Sequence, residues 1–393
     1  MQLDKYDQSL LDGERGETKQ KMMEILVGLG KIYNAERLIE VKNAQVSGAS
    51  YKTIGDSGLE WLNSLEGKAA VPAFLNPIGM PRSGWEAFGI TSEFARKQQE
   101  VTEAYIRLGI RPSCTCTPYY YTLVERGDHL AWSESSAVVY ANSVLGARTN
   151  REGGPSALAS ALTGKTPEYG MHIVKNRFPN IEFHLANPED AKSWGEAEYG
   201  ALGIIAGAIS GNKIPLFRGI RPRSDMLKSM GAAMAASGAV ALFHVADITP
   251  EARFPIFKKN FEEQEREIVT IETEEIHELF SDIEPDAVAV GCPHLSEDEL
   301  MKLADLLAGK KVKLPFYVFT AAEQMQQHRD IFEKIGRSGA MIVPDTCMIV
   351  SPILETKTVM TNSGKAFTYL PGMCKAVPRL GTLEDCVRVG CGE

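Results

Sequence analysis

The chain has 393 residues, of which 44% are hydrophobic and 24% charged, and its formal net charge is −9. This composition is ordinary for a globular protein with a sizeable core, and the acidic balance gives no support for binding nucleic acid or an anionic membrane surface. The polar, acidic segment Met1–Gln20 predicts neither a signal peptide nor a transit peptide, so we expect a cytoplasmic protein. The longest uncharged run, Met230–Ala246, is too short and too rich in Ala and Gly to span a membrane.

In the first half of the chain, hydrophobic periodicity predicts a mixture of helices and short strands. Apolar residues recur at helical spacing before residue 33, and a second, strongly amphipathic pattern runs up to Leu108. The predicted elements are, in order, a helix over Met22–Ile32, a strand over Leu38–Val41, a polar loop over Ala44–Tyr51, a helix over Leu59–Leu65, a strand over Ala69–Leu75 and a helix over Ser92–Leu108.

The second half alternates between helices and strands, which argues for parallel sheets and the α/β class. The predicted elements are a helix over Ser224–Ala236, a strand over Ala239–Val245, a strand over Asp286–Val290, a helix over Glu297–Leu307, a strand over Phe316–Phe319, a helix over Ala322–Ile335 and a strand over Ala340–Val343. An acidic, helical region over residues 251–283 is the best candidate for a boundary. We therefore predict an N-terminal α/β part, residues 1–250, and a C-terminal α/β part, residues 251–393.

A dense run of polar side chains lies between Ser133 and Asn150, interleaved with apolar residues such as Val138 and Val144. A buried polar group without a partner is costly, so a plain core helix would not carry so many of them. The segment is therefore predicted to form a half-buried helix that presents polar groups to a cavity.

Seven cysteines are scattered along the chain, and without an export signal we do not expect disulfides. Cys292 and Cys347 each follow a predicted strand, and Cys116 lies in another such loop, which is where ligands gather in α/β sheets. Three loop thiols that converge would suit an iron–sulfur cluster with three protein ligands and one open iron. The alternatives are buried, inert thiols, or Cys114 as the ligand in place of Cys116.

Two histidines are candidates for acid–base chemistry, and two basic side chains are candidates for binding an anion. His244 ends a predicted strand and is either an acid, base or substrate donor or a satisfied core residue, whereas His294 has the better claim because it lies beside Cys292. Lys365 follows a predicted strand at the start of a helix, where free N–H groups suit a phosphate or carboxylate, although a polar turn explains the same residues. Arg148 is the other candidate for binding an anion.

At this point the motifs can be compared with a known family. Taken together, and in this order over nearly the whole chain, they resemble those of aconitase X, the divergent branch of the aconitase superfamily. The motifs are Cys114-Thr-Cys-Thr-Pro-Tyr119, Glu134-Ser-Ser-Ala-Val138, Asn142-Ser-Val-Leu-Gly-Ala-Arg-Thr149, Phe243-His244, Gly291-Cys-Pro-His294, Asp345-Thr-Cys347 and Thr361-Asn-Ser-Gly-Lys365.

The resemblance implies an aconitase-like core of several α/β units, with mainly parallel sheet around a central iron–sulfur site. It implies cluster ligands at Cys116, Cys292 and Cys347, because the family's Thr-Cys-Ala-Pro-Tyr aligns with Thr115–Tyr119 and so selects Cys116. We expect a [4Fe–4S] cluster with one open iron, although the chain lacks the Cys-x-x-Cys of ordinary aconitases. Ser136 stands where relatives often have Asn.

The activity that the resemblance implies is that of a hydro-lyase. The motifs are most similar to those of the archaeal branch of the family, so the expected reaction is the dehydration of (R)-5-phosphomevalonate, a small phosphorylated hydroxy acid. The expected product is trans-anhydromevalonate 5-phosphate, in the archaeal mevalonate pathway. The alternatives are a cis-3-hydroxy-L-proline dehydratase and a non-catalytic iron–sulfur scaffold. No swivel domain is expected in this chain, so a small partner subunit would supply the catalytic serine. His244 and His294 are the candidates for assisting the leaving hydroxyl group, and the candidate substrate contacts are Ser47, Gly48, Asn76, Ser135, Asn142, Arg148 and Lys365.

Overall fold

Parallel strands dominate the protein. The computed structural model describes residues 1–393, and none of its helices is both long and apolar enough to cross a lipid bilayer. The α-helices are α1 (Lys5–Leu11), α2 (Glu17–Ile32), α3 (Tyr51–Asn63), α4 (Ser92–Arg107), α5 (Ser135–Tyr140), α6 (Gly154–Thr163), α7 (Glu196–Ser210), α8 (Ser224–Ser237), α9 (Pro255–Glu263), α10 (Thr273–His277), α11 (Glu297–Leu306), α12 (Ala322–Gln327), α13 (Arg329–Arg337), α14 (Gly364–Cys374) and α15 (Leu383–Gly390).

The strands are short, between two and five residues each. They are β1 (Leu38–Glu40), β2 (Ala44–Val46), β3 (Ala73–Leu75), β4 (Ala131–Trp132), β5 (Lys165–Pro167), β6 (Ile181–Leu185), β7 (Pro215–Phe217), β8 (His244–Val245), β9 (Glu267–Ile271), β10 (Ala287–Val290), β11 (Phe316–Thr320), β12 (Met341–Pro344), β13 (Thr358–Thr361) and β14 (Val377–Leu380).

Two parallel sheets place their carboxyl ends against one another. One has five strands in the order β12-β11-β10-β13-β14, and the other has three in the order β3-β2-β4. The chain beyond β3 joins the chain beyond β12, because the Ile78 N–H donates to the Asp345 carbonyl and the Cys347 N–H donates to the Ile78 carbonyl, both at 3.0 Å. The loops that follow the strands of both sheets therefore meet.

A third parallel sheet has the order β8-β7-β6-β9 and carries α7 and α8. The two helices approach closely at Gly203, where a Cβ atom would lie 2.4 Å from the Met230 carbonyl oxygen. The strands of this sheet lie on both sides of residue 250. The division into residues 1–250 and 251–393 stays a prediction.

The predicted α/β class is confirmed, and several predicted elements differ in extent. The predicted strand Ala239–Val245 shortens to β8, because the Phe243 N–H bonds to the Ser143 hydroxyl (2.9 Å) and not to a strand. The predicted helix Ala322–Ile335 is divided at His328, whose φ and ψ of −126° and 47° are not helical. The acidic region 251–283, predicted to be helical, contains β9.

Candidate active site

A cavity of about 520 Å³ lies where the carboxyl ends of the two facing sheets meet. The strands of the three-stranded sheet deliver hydroxyls, an amide and a carboxylate to its wall, and the five-stranded sheet delivers a thiol and an ammonium group. Five of the seven predicted substrate contacts line it, namely Ser47, Gly48, Asn76, Ser135 and Lys365, together with one predicted metal ligand, Cys347. The lining residues used below are Ser47, Gly48, Ser50, Asn76, Ser133, Glu134, Ser135, Arg151, Cys347 and Lys365.

The wall of the cavity is organised around an ion pair between Glu134 and Lys365. Glu134 caps α5 and Lys365 lies in the first turn of α14, so each is fixed by a helix start. The Lys365 Nζ atom donates to one oxygen of Glu134, and the Asn76 Nδ2 atom donates to the other at 2.8 Å. Only 13% of the Glu134 side chain and 8% of the Lys365 side chain are exposed.

Both members of the pair are ionised. Burial alone would raise the pKa of Glu134, but the Lys365 charge, with hydrogen bonds from Lys365, Asn76 and Ser136, lowers it to about 2. Burial works against the charge of Lys365, but the Glu134 carboxylate holds the pKa of this ammonium group above its usual value. The pair therefore keeps fixed charges beside the cavity over the whole physiological pH range.

Three loops that carry cysteines meet beside this pair, through the contacts of His294 with Cys116 and Thr346. Cys292 follows β10, Cys347 follows β12, and Cys116 lies in the loop beside β3. The charges of Glu134 and Lys365 act on the pKa of all three thiols. Cys292 also raises the pKa of Cys116, and Cys347 raises the pKa of Cys292. Burial raises the pKa of each thiol, that of Cys292 to about 12.

The chemistry of these donors fits an iron–sulfur cluster better than a single metal ion. No three His, Cys, Asp or Glu side chains lie close enough together to hold one metal ion. In an iron–sulfur cluster each thiolate binds a different iron, so the thiols are spread around it. A buried neutral thiol loses its proton when it binds a metal, so the burial of these three thiols is compatible with a role as ligands.

The neighbouring thiol of Cys114 lies in a different environment. Cys114 is fully buried in the apolar cluster of the first sheet, and its pKa is raised by burial and by Asp345. Cys116, in contrast, accepts a hydrogen bond from the His294 N–H at 3.1 Å. Cys374, Cys386 and Cys391 pack in apolar clusters under the five-stranded sheet.

The imidazole of His294 is buried beside the loops that carry the cysteines. Its Nε2 atom lies 3.0 Å from the Thr346 carbonyl oxygen and its Nδ1 atom lies 3.4 Å from the Thr115 hydroxyl. Burial lowers its pKa to about 4, so the ring is neutral. His294 does not line the cavity.

Two of the predicted substrate contacts, Asn142 and Arg148, lie away from the cavity. Asn142 bonds to both the N–H and the carbonyl of Thr149, and its side-chain oxygen also accepts from Arg177. Arg148 lies on a β-bridge to His129, and its Nε atom is buried without a partner. The structure therefore does not bring Asn142 or Arg148 to the residues that line the cavity.

His244 is placed in the third sheet, apart from the thiols. It is fully buried between Phe257 and Phe261, and its Nε2 atom donates to the Arg177 carbonyl at 2.8 Å. Burial lowers the pKa of His244 to about 4. This is the environment of a core histidine.

Two residues that line the cavity, Glu134 and Arg151, are not among the predicted site residues. Glu134 was visible in the sequence only as one member of a polar run, and its pairing with a lysine 231 positions away could not be read from spacing. Arg151 lies at the mouth of the cavity and bonds to the Ala235 carbonyl at 3.2 Å, without a carboxylate partner. Helix α6 also begins at this cavity, which favours an anionic ligand.

A larger cavity, about 660 Å³, lies elsewhere, at the carboxyl edge of the β8-β7-β6-β9 sheet. Lys192, Arg221 and Arg223 line it, and it contains no cysteine and none of the predicted site residues. Size alone therefore does not identify the reactive site in this protein.

Comparison with known proteins agrees with the fold. Family models for the first, second and third domains of aconitase X match residues 1–175, 173–281 and 285–392. The crystal structure of Thermococcus kodakaraensis aconitase X in its holo-form superposes with a TM-score of 0.89, at 41% identity and 99% coverage of both chains. This chain belongs to the aconitase X family, and the predicted resemblance is confirmed.

Several curated archaeal relatives share one name. The phosphomevalonate dehydratase large subunit of Methanosarcina mazei is 51% identical, over 100% of this chain and 98% of that protein, and three more relatives of this name are 42–45% identical. The cis-3-hydroxy-L-proline dehydratase of Pseudomonas aeruginosa is 33% identical, over 99% of this chain but 70% of that protein.

Proposed function

We propose that this chain is the large subunit of a hydro-lyase that dehydrates (R)-5-phosphomevalonate to trans-anhydromevalonate 5-phosphate. The observation that carries the proposal is that the loops of Cys116, Cys292 and Cys347 meet through the contacts of His294, beside the buried Glu134–Lys365 pair at the wall of a cavity. The names of the archaeal relatives support the substrate.

In this proposal the three cysteines hold an iron–sulfur cluster. When bound, a [4Fe–4S] cluster with three protein ligands supplies an iron with an open position, which acts as a Lewis acid on the leaving hydroxyl group. The residues of the chain bind and orient the substrate around that position.

Lys365 and Asn76 are the groups best placed to orient the substrate. An ammonium group has three N–H donors; Lys365 directs one to Glu134 and one to the Ser136 hydroxyl at 3.3 Å, which leaves one for a substrate carboxylate. The Asn76 amide gives one N–H to Glu134 and keeps the other. Glu134 therefore fixes the direction in which both donors point.

The phosphate belongs at the mouth of the cavity. Arg151 supplies a guanidinium without a carboxylate partner, and α6 begins at Gly154 with no side chain capping its first turn. Free N–H groups at a helix start bind anions, and an Arg fork matches phosphate geometry. Ser47 and Ser135 also line this cavity and add hydroxyl groups to it.

The base that removes the carbon-bound proton is proposed to come from a small partner subunit that carries a catalytic serine. Both oxygens of Glu134 already accept hydrogen bonds, from Lys365 and Asn76, and these bonds lower the pKa of the carboxyl group, so Glu134 is a poor base for this step, and Lys365 retains its proton. The name "large subunit" of the archaeal relatives supports a two-subunit enzyme. The proton and the hydroxyl group leave as water, and the new carbon–carbon double bond remains in the product.

The test is an assay of the anaerobically reconstituted chain with its small partner subunit. We expect (R)-5-phosphomevalonate to be converted to trans-anhydromevalonate 5-phosphate, followed by NMR, and cis-3-hydroxy-L-proline to be left unchanged. Turnover of the proline alone would transfer the activity to the second dehydratase class. Turnover of neither substrate by a complex that holds its iron would point to a scaffold.

A further inference from the structure

We propose that His294 is a positioning residue that ties together the three loops carrying Cys116, Cys292 and Cys347, and that it does not act on the substrate. The inference rests on the proposed function, in which these cysteines hold the cluster. It assigns to His294 a different role from the leaving-group contact that its place in the sequence suggests.

The first tie runs from the imidazole to the loop of Cys347. A carbonyl oxygen only accepts hydrogen bonds, so the Nε2 atom of His294 must carry the hydrogen that it donates to the Thr346 carbonyl at 3.0 Å. Thr346 directly precedes Cys347 in the chain and is fully buried. The position of the Cys347 loop is thus linked to the orientation of the ring.

The second tie runs to the loop of Cys116. The hydroxyl of Thr115 lies 3.4 Å from the Nδ1 atom, within hydrogen-bond distance. The backbone N–H of His294 also donates to the Cys116 Sγ atom at 3.1 Å. Thr115 directly precedes Cys116, so the histidine contacts both the thiol and its neighbour.

The third loop contains His294 itself, two residues after Cys292. Its carbonyl accepts from Lys228 of α8 at 3.4 Å, and Lys228 is paired with Glu299 of α11. The Cys292 carbonyl is held in turn by the Ser363 hydroxyl. The loop is therefore anchored by Lys228 and Ser363 as well as by the contacts of the His294 ring.

These contacts leave His294 no free nitrogen for a substrate. Both ring nitrogens have partners, the residue is 2% exposed, and it does not line the cavity. Groups that orient metal ligands commonly act in this way, and their loss typically lowers metal affinity by about 10- to 100-fold.

The experiment compares His294→Leu, which removes both ring contacts, with His294→Gln, whose amide can still donate to the Thr346 carbonyl. Each is reconstituted anaerobically, and the half-time of iron release to a chelator is measured with the iron and sulfide content. We expect at least about a tenfold shorter half-time for His294→Leu and partial rescue in His294→Gln. Thr115→Val, which removes one partner without touching the histidine, should lie between His294→Gln and the unmodified protein.

His244→Gln is the matched control. His244 is also fully buried and also donates to one backbone carbonyl, but it contacts none of the three cysteine loops. Its replacement should leave the half-time of iron release unchanged. An equal loss in His244→Gln would assign the effect to general destabilisation and overturn the inference.

A second readout uses the protein without cluster. Amide hydrogen exchange over residues 343–350 should be faster in His294→Leu than in the unmodified protein, because the tie to Thr346 is lost. Unchanged exchange together with unchanged iron release would overturn the inference, as would variants that keep their iron and its release rate but lose turnover. If the unmodified protein takes up no iron, the proposed function fails, and the exchange experiment alone decides the role of His294.

Discussion

Two buried ion pairs in this protein each join a glutamate to a basic side chain, but their surroundings differ. The Glu134–Lys365 pair, hereafter the cavity pair, borders open space and leaves donors unused. The Arg177–Glu251 pair, hereafter the enclosed pair, has every guanidinium N–H occupied: Arg177 donates to Glu251, to Asn142 and to the carbonyls of Met171 and Ala147. A saturated pair can hold the fold together but has nothing left for a ligand.

The same contrast divides the polar segment between Ser133 and Asn150. Its beginning, Ser133–Ser136, follows β4 and surrounds the cavity pair. Its end, from Asn142 onward, supplies the side-chain and backbone oxygens that satisfy Arg177. The segment predicted as one wall of a site thus serves two functions, and residue type alone does not separate them.

The largest effect that would sharpen this contrast is expected at the thiols beside the cavity pair. Replacing Cys116, Cys292 or Cys347 singly with Ser should reduce dehydratase activity to background, because each removes an iron ligand. Cys386→Ser, a buried thiol packed away from the cavity, is the control and should keep its iron and its activity. A fully active Cys116→Ser variant would remove that residue from the proposed ligand set; activity and iron content are measured together.

Breaking the enclosed pair should affect stability. Arg177→Met leaves the Glu251 carboxylate buried without a partner, which typically costs about 3–5 kcal/mol. Urea unfolding of the cluster-free protein measures this loss. The kcat/KM per folded molecule should change little, and a selective loss of activity with unchanged stability would contradict the structural role of the enclosed pair.

Breaking the cavity pair should have the opposite balance. Lys365→Met removes the donor aimed at the substrate, and we expect kcat/KM to fall by about 100-fold, the usual cost of losing one preorganised donor. Steady-state kinetics of the reconstituted complex provide the measurement. Activity close to that of the unmodified enzyme would show that Lys365 serves only to neutralise Glu134.

Arg151 offers a smaller effect on binding. Arg151→Gln should raise KM for the phosphorylated substrate by about tenfold, equivalent to about 1.4 kcal/mol, with kcat nearly unchanged. Arg221→Gln, at the cavity of about 660 Å³ beside the third sheet, is the matched control and should leave KM as it is. Equal effects of both substitutions would point to the general charge of the protein.

The cavity pair also predicts how stability depends on pH, with little effect near neutrality. The folded-state pKa of Glu134 is about 2, below the ordinary value of 4.5, so its stabilisation is present above pH 4.5 and is lost as the pH falls toward 2. Urea midpoints of cluster-free protein at pH 7 and pH 3 should therefore differ more in the unmodified chain than in Glu134→Gln. The same difference in both would contradict the low pKa of Glu134.

The sequence by itself determined the family, the α/β class and the positions of the loops that matter. Cys292, Cys347 and Lys365 could be placed because each follows an apolar run that forms a strand of the five-stranded parallel sheet, and loops after parallel strands collect ligands whatever the details of packing. The cavity contacts Ser47 and Asn76 could be named because Ser47 lies in a predicted polar loop and Asn76 directly follows a predicted strand.

The tertiary structure alone decided which polar residues share a site. The pairing of Glu134 with Lys365 depends on two sheets meeting at their carboxyl ends, and no periodicity along the chain encodes that meeting. Asn142 and His244 looked equally suited to chemistry until packing placed them around Arg177. Local pattern fixes where a strand ends, whereas the partner of a buried charge is fixed by elements that lie far away in the chain.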